Sequence, residues 1–463
     1  MTNVPGGLPA RINVIGSGRS GLAAAAYLAR HGVRVFISDS CPAERLEFVL
    51  AVNDMAHIPH ESGEHTDRVL DGEAIVVSPG VDSSLPLLER AAGRGIAVWS
   101  EIELAYRVCG APIVAVTGSS GKSTTVSLIG AVVEQSSRPS AVGGNIGTAA
   151  ISTVESLGPD GIAVWEISSF QLELTREFKP RVAAVLNLQR NHLDRYRSEE
   201  EYYNAKRLIA RNLDKDCFLV LNADDPRLRG WGHEYRAKTH VVWVGLRRAD
   251  DGDCVWNQEG KIRGSFGGEV SEIVSVDALK IRGVHNQLNA AAAAAVAHCA
   301  GLGTDATSAG LSSFPGLPHR LEFVARRRGV AFYNDSKSTT AESIAGAVAA
   351  FDGPVRLIAG GKDKGVDFSS ILPVVRRGVR GAYLIGRAAQ RITGEWKNDL
   401  PVHRFDSLEE AVKAAYGDAA EGDAVVLSPG CSSFDMFRDF EHRGDVFRAI
   451  VEALPEERVE NHE

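Results

Sequence analysis

The run Pro112-Ile113-Val114-Ala115-Val116-Thr117-Gly118-Ser119-Ser120-Gly121-Lys122-Ser123-Thr124 passes from consecutive aliphatic residues into a glycine- and serine-rich loop that closes on a lysine and two hydroxyls. Residues 113–116 predict a strand and Lys122 opens a predicted helix, so the loop joins a strand end to a helix N-terminus. That is the setting of a P-loop. Backbone N–H groups of Gly118, Ser119, Ser120, Gly121 and Thr124 would cradle phosphates, Lys122 would reach the outer ones, and Ser123 would face Mg²⁺. The full GxxxxGK[ST] string asks for a glycine where Val116 stands. A polar turn is the plainer alternative, but the strand before and the helix after favour phosphate, with ATP ahead of a reducing cofactor.

N-terminal to this run, residues 11–15, 20–31 and 33–37 read as strand, alanine-rich helix and strand, a βαβ opening. Between the first strand and the helix lies Gly16-Ser17-Gly18-Arg19-Ser20-Gly21, with Asp39 at the end of the next strand. Such a turn lets a phosphate approach a helix N-terminus, and Asp39 would accept from a ribose hydroxyl. Further strands are expected at 74–77 and 96–99. C-terminal to the run, strands are expected at 162–165, 183–187, 217–222 and 241–244, with 250–268 a peripheral hairpin outside the core. The alanine-rich residues 289–301 predict a close-packed helix, and Phe314-Pro315-Gly316-Leu317-Pro318 is a linker signal. Strands at 331–333, 355–358, 381–385 and 424–427 predict a third α/β unit. The expected class is therefore α/β in three domains: a Rossmann-like one at 1–108, a central P-loop ATPase-like parallel sheet at 109–315, and a second Rossmann-like one at 316–463.

Whole-chain properties narrow the function. The 463 residues suit about three domains, and the net charge of −8 argues against a surface that grips nucleic acid. Six scattered cysteines without CxxC spacing read as reduced thiols rather than a disulfide frame or a zinc site. No stretch approaches the ~18 apolar residues of a membrane span, and the N-terminus lacks a signal-peptide pattern, so a cytoplasmic chain with no membrane insertion is expected.

Other strand ends carry polar residues that packing does not require. Glu166 heads Glu166-Ile167-Ser168-Ser169-Phe170-Gln171, and His192 lies in the string NLQRNHLD at 187–194. Glu166 and His192 are candidates for sharing a Mg²⁺ through oxygen and imidazole. Asn334-Asp335-Ser336-Lys337, Gly360-Gly361-Lys362-Asp363-Lys364-Gly365 and Ser428-Pro429-Gly430-Cys431-Ser432-Ser433 each close a strand of the third unit. Three such ends together suit a pocket for a small charged ligand.

Taken together these strings resemble the Mur ligases, the ATP-dependent amide-forming enzymes of peptidoglycan precursor synthesis, over nearly the whole chain. The family-wide parts are the 117–124 loop, His285, Asn286 and Asn289, and Arg320. Gly143 to Gly147, Ser168 to Glu173, Asn334 to Lys337, GGKDKG and the LSP…SFD string resemble the D-glutamate-adding branch. The resemblance implies that Gly16, Ser17, Gly18, Arg19, Ser20, Gly21, Asp39, Ser40, Ser78, Pro79 and Gly80 contact the uridine diphosphate of UDP-N-acetylmuramoyl-L-alanine, with Asn145 and His192 on that substrate too. It implies that Asn286, Asn289, Arg320 and Asp335 hold ATP beside the loop at 118–124. Ser123, Glu166, His192 and a carbamylated Lys206 would face Mg²⁺, with Lys122, His192 and Lys206 catalytic. Lys337, Thr339, Lys364, Ser433 and Phe440 would hold glutamate. A carboxylate activated as an acyl phosphate would then be attacked by the glutamate amine, in a monomer whose C-terminal domain closes on ATP binding.

Two residues depart from the family pattern: Ser120 stands where asparagine is usual and Asn191 where aspartate is usual. The alternative within the class is a ligase adding L-glutamate to the same precursor. An NAD-dependent oxidoreductase built on Gly16 to Gly21 leaves the second loop, Lys206 and the Ser168 to Glu173 string unexplained. A catalytically silent nucleotide-binding protein does not account for Lys122, Glu166, His192 and Lys206 together.

Overall fold

A computed structural model describes residues 7–192, 195–363 and 365–455. By its internal contacts the chain divides into two compact units, residues 1–278 with 288–313, and residues 279–287 with 314–463. The first unit holds two sheets and the second holds one.

The first sheet comprises β1 (Arg11–Ile15), β2 (Arg34–Asp39), β3 (His60–Ser62), β4 (Ala74–Val77) and β5 (Ala97–Ser100), all parallel, in the order β3-β2-β1-β4-β5. The order reverses at β1. Loops after β1, β2 and β4 therefore meet at one edge, where ligands of open parallel sheets bind.

The second sheet has nine strands: β6 (Ile113–Thr117), β7 (Ser140–Gly144), β8 (Ile162–Glu166), β9 (Val182–Val185), β10 (Phe218–Asn222), β11 (His240–Gly245), β12 (Asp253–Gln258), β13 (Lys261–Phe266) and β14 (Glu269–Ser275). Its order, β14-β13-β12-β11-β10-β9-β6-β8-β7, sets β6 between β8 and β9. Val116 pairs with Glu166 and Thr117 with Val185, so three strand ends lie side by side. Buried on both faces, β6 and β9 read in sequence as nearly unbroken aliphatic runs.

The hairpin expected at 250–268 needs correcting. Residues 250–268 hold β12 and β13, β14 follows them, and β12 runs parallel to β11, continuing the sheet, while Cys254, Val255, Trp256 and Ile262 are buried. The segment's polar, glycine-rich composition reflects one exposed face and tight turns. One cluster of buried side chains runs from Ile12 and Leu28 through Ile102 and Ile151 to Trp165 and Trp243, so the two sheets of this unit share a continuous core.

The second unit contains β15 (Glu322–Arg327), β16 (Val330–Asn334), β17 (Val355–Gly360), β18 (Val379–Ile385), β19 (Val402–Arg404) and β20 (Ala424–Leu427), in the order β15-β16-β20-β17-β18-β19. Only β15 is antiparallel. Ile344, Phe368 and Trp396 fill one face and Phe332, Tyr383 and Phe447 the other. The loops after β16, β20 and β17 again end together. Among the described residues no helix is long and apolar enough to cross a membrane, and all six cysteines are thiols.

Candidate active site

In the first sheet, Gly21 has to be glycine: a Cβ there would lie 1.9 Å from the Gly16 carbonyl oxygen. Ser78 Oγ donates to that same oxygen at 3.0 Å, fastening the loop after β4 to the Gly16 turn. Gly18, just before the helix Arg19–Arg30, has open space where a side chain would be, which leaves the N-terminus approachable together with Ser20. Asp39, expected to meet a ribose, accepts from Ser17 N at 2.5 Å, Ser17 Oγ at 2.7 Å and Cys41 N at 2.8 Å. Burial pushes its carboxyl up, but these donors outweigh burial and hold it below the usual range. Ser40, Pro79 and Gly80 line the same edge, partly to fully exposed. Arg19 Nη1 donates to the Gly147 carbonyl at 2.5 Å, tying this edge to the loop after β7.

At the end of β6 the chain turns through Gly118 and Gly121. Gly121 has φ +79° and a Cβ there would sit 2.4 Å from Asn289 Oδ1, so the turn admits no side chain. Asn187, two residues beyond β9, latches the loop: its Oδ1 accepts from Ser119 N at 3.1 Å and Ser120 N at 2.9 Å, and its Nδ2 donates to the Ser120 carbonyl at 3.1 Å. Ser120, the first departure from the family string, reaches Asn187 Oδ1 at 3.3 Å and Gln189 Oε1 at 3.2 Å, so its hydroxyl joins the latch. Lys122 Nζ donates to the carbonyls of Gly118 at 2.9 Å and Ser119 at 3.2 Å, with Ser123 and Thr124 following on the helix Lys122–Gln135.

Glu166, 2% exposed at the end of β8, accepts from Asn145 Nδ2 at 2.8 Å through one oxygen, while its Oε2 is buried and has no hydrogen-bond partner. An orphaned carboxylate oxygen beside a phosphate-type loop fits a divalent cation. Among the described residues no three His, Cys, Asp or Glu side chains converge on a metal position. Mg²⁺ held here would draw on Glu166, the Ser123 hydroxyl, phosphate oxygens and water, the mixed set that suits this ion.

Lys206, 1% exposed, donates to the Gly118 carbonyl at 2.9 Å and lies 4.5 Å from the centre of the Tyr202 ring. Burial, aided by Lys122, lowers its pKa to about 6 despite Glu166. The amine is thus largely neutral at pH 7, the form that reacts with carbon dioxide. His192, exposed and at φ +55°, packs edge-on to Phe170 at 5.0 Å and to Tyr202 at 5.8 Å. Tyr202 therefore stands between His192 and Lys206, with its hydroxyl 3.4 Å from Ser119 Oγ. Sequence reading missed it, although its place one turn before Lys206 on the helix Glu199–Arg207 is a usable signal. Asn191, the second departure, turns its Oδ1 onto the His192 N–H at 2.9 Å and so supports the His192 turn without charge. Leu193 and Asp194, which end the NLQRNHLD string, lie outside the described residues.

In the second unit, Asp335 is 8% exposed and receives Ser428 Oγ at 2.9 Å, Leu321 N at 3.1 Å and the Ser338 hydroxyl. Burial raises its pKa to about 6, against those donors and the charge of Arg320. Asn286 is counted with this unit, whereas Asn289, on the same helix Val284–Cys299, is counted with the P-loop and accepts from Thr125 Oγ1 at 3.3 Å. Lys337 Nζ lies 4.7 Å from the Phe440 ring centre; Thr339 is half-buried and Ser433 buried on neighbouring strand ends. Lys364 lies outside the described residues. Arg443, which the sequence did not single out, is fully buried and donates to Ser336 Oγ at 2.9 Å, the Ser336 carbonyl at 2.7 Å and the Cys431 carbonyl at 3.1 Å. It clamps two of the three polar strand ends together.

A glycine-rich turn between a parallel strand and a helix, flanked by the buried Glu166 carboxylate and the buried Lys206 amine, is the arrangement of a P-loop nucleotide-using enzyme. Comparison with known proteins narrows this. Residues 10–100 match the Mur ligase MurD-like N-terminal domain, 116–297 the Mur ligase middle domain and 319–431 the Mur ligase glutamate ligase domain. The UDP-N-acetylmuramoylalanine–D-glutamate ligase of Symbiobacterium thermophilum is 39% identical over 453 residues, covering 96% of this chain and 99% of that protein. The ligase of the same name from Acidobacterium capsulatum is 39% identical over 445 residues, 95% and 96% of the two chains. Among solved structures, UDP-N-acetylmuramate-alanine ligase MurC from Thermotoga maritima superposes with a TM-score of 0.59 at 17% identity, covering 96% of this chain and 99% of that one. MurF ligase from the same organism, in complex with ADP, gives 0.59 at 18% identity over 90% and 95%. At those identities the structures speak for the fold alone. The chain belongs to the Mur ligase family.

Proposed function

We propose that this chain is the ATP-dependent ligase that joins D-glutamate to the alanyl carboxyl of UDP-N-acetylmuramoyl-L-alanine in peptidoglycan precursor synthesis. The observation that carries the reading is end-to-end identity of 39% to relatives bearing that activity in their names. The loop at 118–124 and the orphaned oxygen of Glu166 on adjacent strands agree with it. In this reading residues 1–108 seat the uridine diphosphate, 109–315 the ATP and 316–463 the amino acid, in a cytoplasmic monomer.

A carboxylate is a poor acyl donor. Transfer of the terminal phosphoryl group of ATP to the alanyl carboxylate releases ADP and leaves an acyl phosphate. The unprotonated amine of glutamate then attacks the carbonyl carbon, and phosphate departs with one former carboxylate oxygen. Lys122 and the backbone N–H groups of the loop hold the phosphates, while Asn286, Asn289, Arg320 and Asp335 hold the rest of the nucleotide. Ser123 and Glu166 would hold Mg²⁺, with a carbamylated Lys206 and His192 as further proposed ligands, and the ion would supply positive charge among the phosphate oxygens. Where its imidazole does not ligate the metal, His192 is the proposed acceptor of the amine proton. Gly16 to Gly21, Asp39, Ser40, Ser78 to Gly80 and Asn145 seat the nucleotide sugar. Lys337, Thr339, Lys364, Ser433 and Phe440 seat glutamate, on strand ends held by Arg443.

Lys122→Ala tests the phosphate assignment. ATP-dependent ligation should fall by about a thousandfold or more, as expected when a preorganised charge at the transferring phosphoryl group is lost. Substantial residual turnover in the folded variant contradicts it.

A further inference from the structure

The Ser168 to Glu173 string ends in a residue that the reaction as described leaves without a role. Glu173 closes the short helix Ser169–Glu173, and its carboxylate gathers donors from two other segments. One oxygen accepts from Ser83 Oγ at 2.6 Å and from Arg195 Nη2 at 3.2 Å. The other accepts from Tyr196 Oη at 2.5 Å. Ser83 lies in the loop after β4 that carries Ser78, Pro79 and Gly80. Arg195 and Tyr196 lie just beyond His192, whose carbonyl accepts the backbone N–H of each, at 3.1 and 3.0 Å.

Arg195 repeats the link. Its guanidinium donates to the Val81 carbonyl at 3.2 Å and the Pro79 carbonyl at 3.5 Å, and its carbon lies 4.5 Å from the centre of the Phe170 ring. Phe170 in turn stacks on Tyr196 at 5.8 Å and meets the His192 ring at 5.0 Å. An exposed ion pair is worth little, but here the Glu173 and Arg195 side chains are only 15% and 24% exposed, and the charges are shared among several hydrogen bonds. Loop 78–83, the Ser169–Glu173 helix and the His192 turn are thereby laced into one assembly within the first unit.

We infer that Glu173 is a positioning residue that fastens the UDP-facing loop to the His192 turn through Arg195 and Tyr196, so that seating the nucleotide sugar and aligning His192 are one event. The inference rests on the functional reading above for Ser78 to Gly80 and for His192. Glu173 itself touches no substrate in that scheme; it acts through its three donors.

The test is steady-state kinetics on the full chain, varying UDP-N-acetylmuramoyl-L-alanine, ATP and D-glutamate in turn, with melting temperatures alongside. Glu173→Gln should raise KM for the nucleotide sugar about tenfold and lower kcat by a similar factor, the scale of one charge-assisted hydrogen bond, while KM for ATP stays within about twofold. Ser83→Ala cuts only the tie to the first sheet; it should raise the nucleotide-sugar KM by about threefold, the scale of a neutral hydrogen bond. A folded Glu173→Gln protein with wild-type kcat and nucleotide-sugar KM overturns the inference, as does an equal rise in all three KM values, which marks general loosening. Should Glu173→Gln fail to fold, an unchanged nucleotide-sugar KM in Ser83→Ala overturns it alone. A wild-type protein that does not turn over the nucleotide sugar defeats the functional reading itself, and this inference with it.

Discussion

Glu101 is fully buried at the start of the helix Glu101–Val108, where one oxygen accepts from the Ile151 N–H at 2.6 Å and the other has no partner. Burial lifts its pKa from 4.5 to about 7, against the Ile151 hydrogen bond and the charge of Arg19. The folded carboxyl thus keeps its proton at a pH where the unfolded chain has released it. Stability contributed at this position is complete below about pH 4.5 and is lost as pH rises through about 7, by about 3 kcal/mol for a shift of this size. Glu101→Gln should remove that slope: denaturant unfolding at pH 5, 7 and 8.5 should show the variant gaining on the wild type as pH rises. A parallel pair of curves contradicts the assignment. Arg443 shows the opposite side of burial, since its pKa falls only to about 10 and it remains a cation whose clamp on Ser336 and Cys431 persists at pH 7.

At the scale of elements, each proposed site is a set of neighbouring strand ends. β1 with β2 and β4, β6 with β8 and β9, and β16 with β20 and β17 each place three loops at one edge. The P-loop turn shows how narrow the tolerance is: Gly121→Ala forces a left-handed φ on alanine and a Cβ into Asn289 Oδ1 at 2.4 Å. It should cost about 1–3 kcal/mol of stability and raise KM for ATP, with KM for the nucleotide sugar unchanged. Calorimetric melting and the two KM values check this. Strands β4 and β20 were legible to the residue because buried parallel strands are unbroken β-branched and aliphatic runs, and β1 because Ile12, Val14 and Ile15 lead into the glycine-rich turn. β3 (His-Glu-Ser), β7 with its paired glycines, the charged antiparallel β15 and the three-residue β19 were not, because short or half-exposed strands owe their existence to neighbours rather than to their own pattern. The same holds for side chains. Lys122 and Glu166 sit in strings whose chemistry is local and Lys206 was legible only through the family resemblance, whereas Glu173, Asn187 and Arg443 acquire their roles from partners 22 to 107 residues away.

At the scale of the whole molecule, a chain of net charge −8 is proposed to gather three anionic substrates. The cations it offers are local: Lys122, Arg320 and Lys337 stand beside strand ends, with Mg²⁺ expected to add more. Amide formation driven by ATP then needs all three substrates together, which sets the most direct test. Phosphate release should be followed from the purified chain with Mg²⁺, ATP and UDP-N-acetylmuramoyl-L-alanine, adding D-glutamate, L-glutamate or neither, with NADH absorbance monitored in parallel. Phosphate should appear in step with the amide product on adding D-glutamate, and remain near background with L-glutamate, with neither amino acid, or without the nucleotide sugar. Turnover that prefers L-glutamate, or that needs no amino acid at all, contradicts the account.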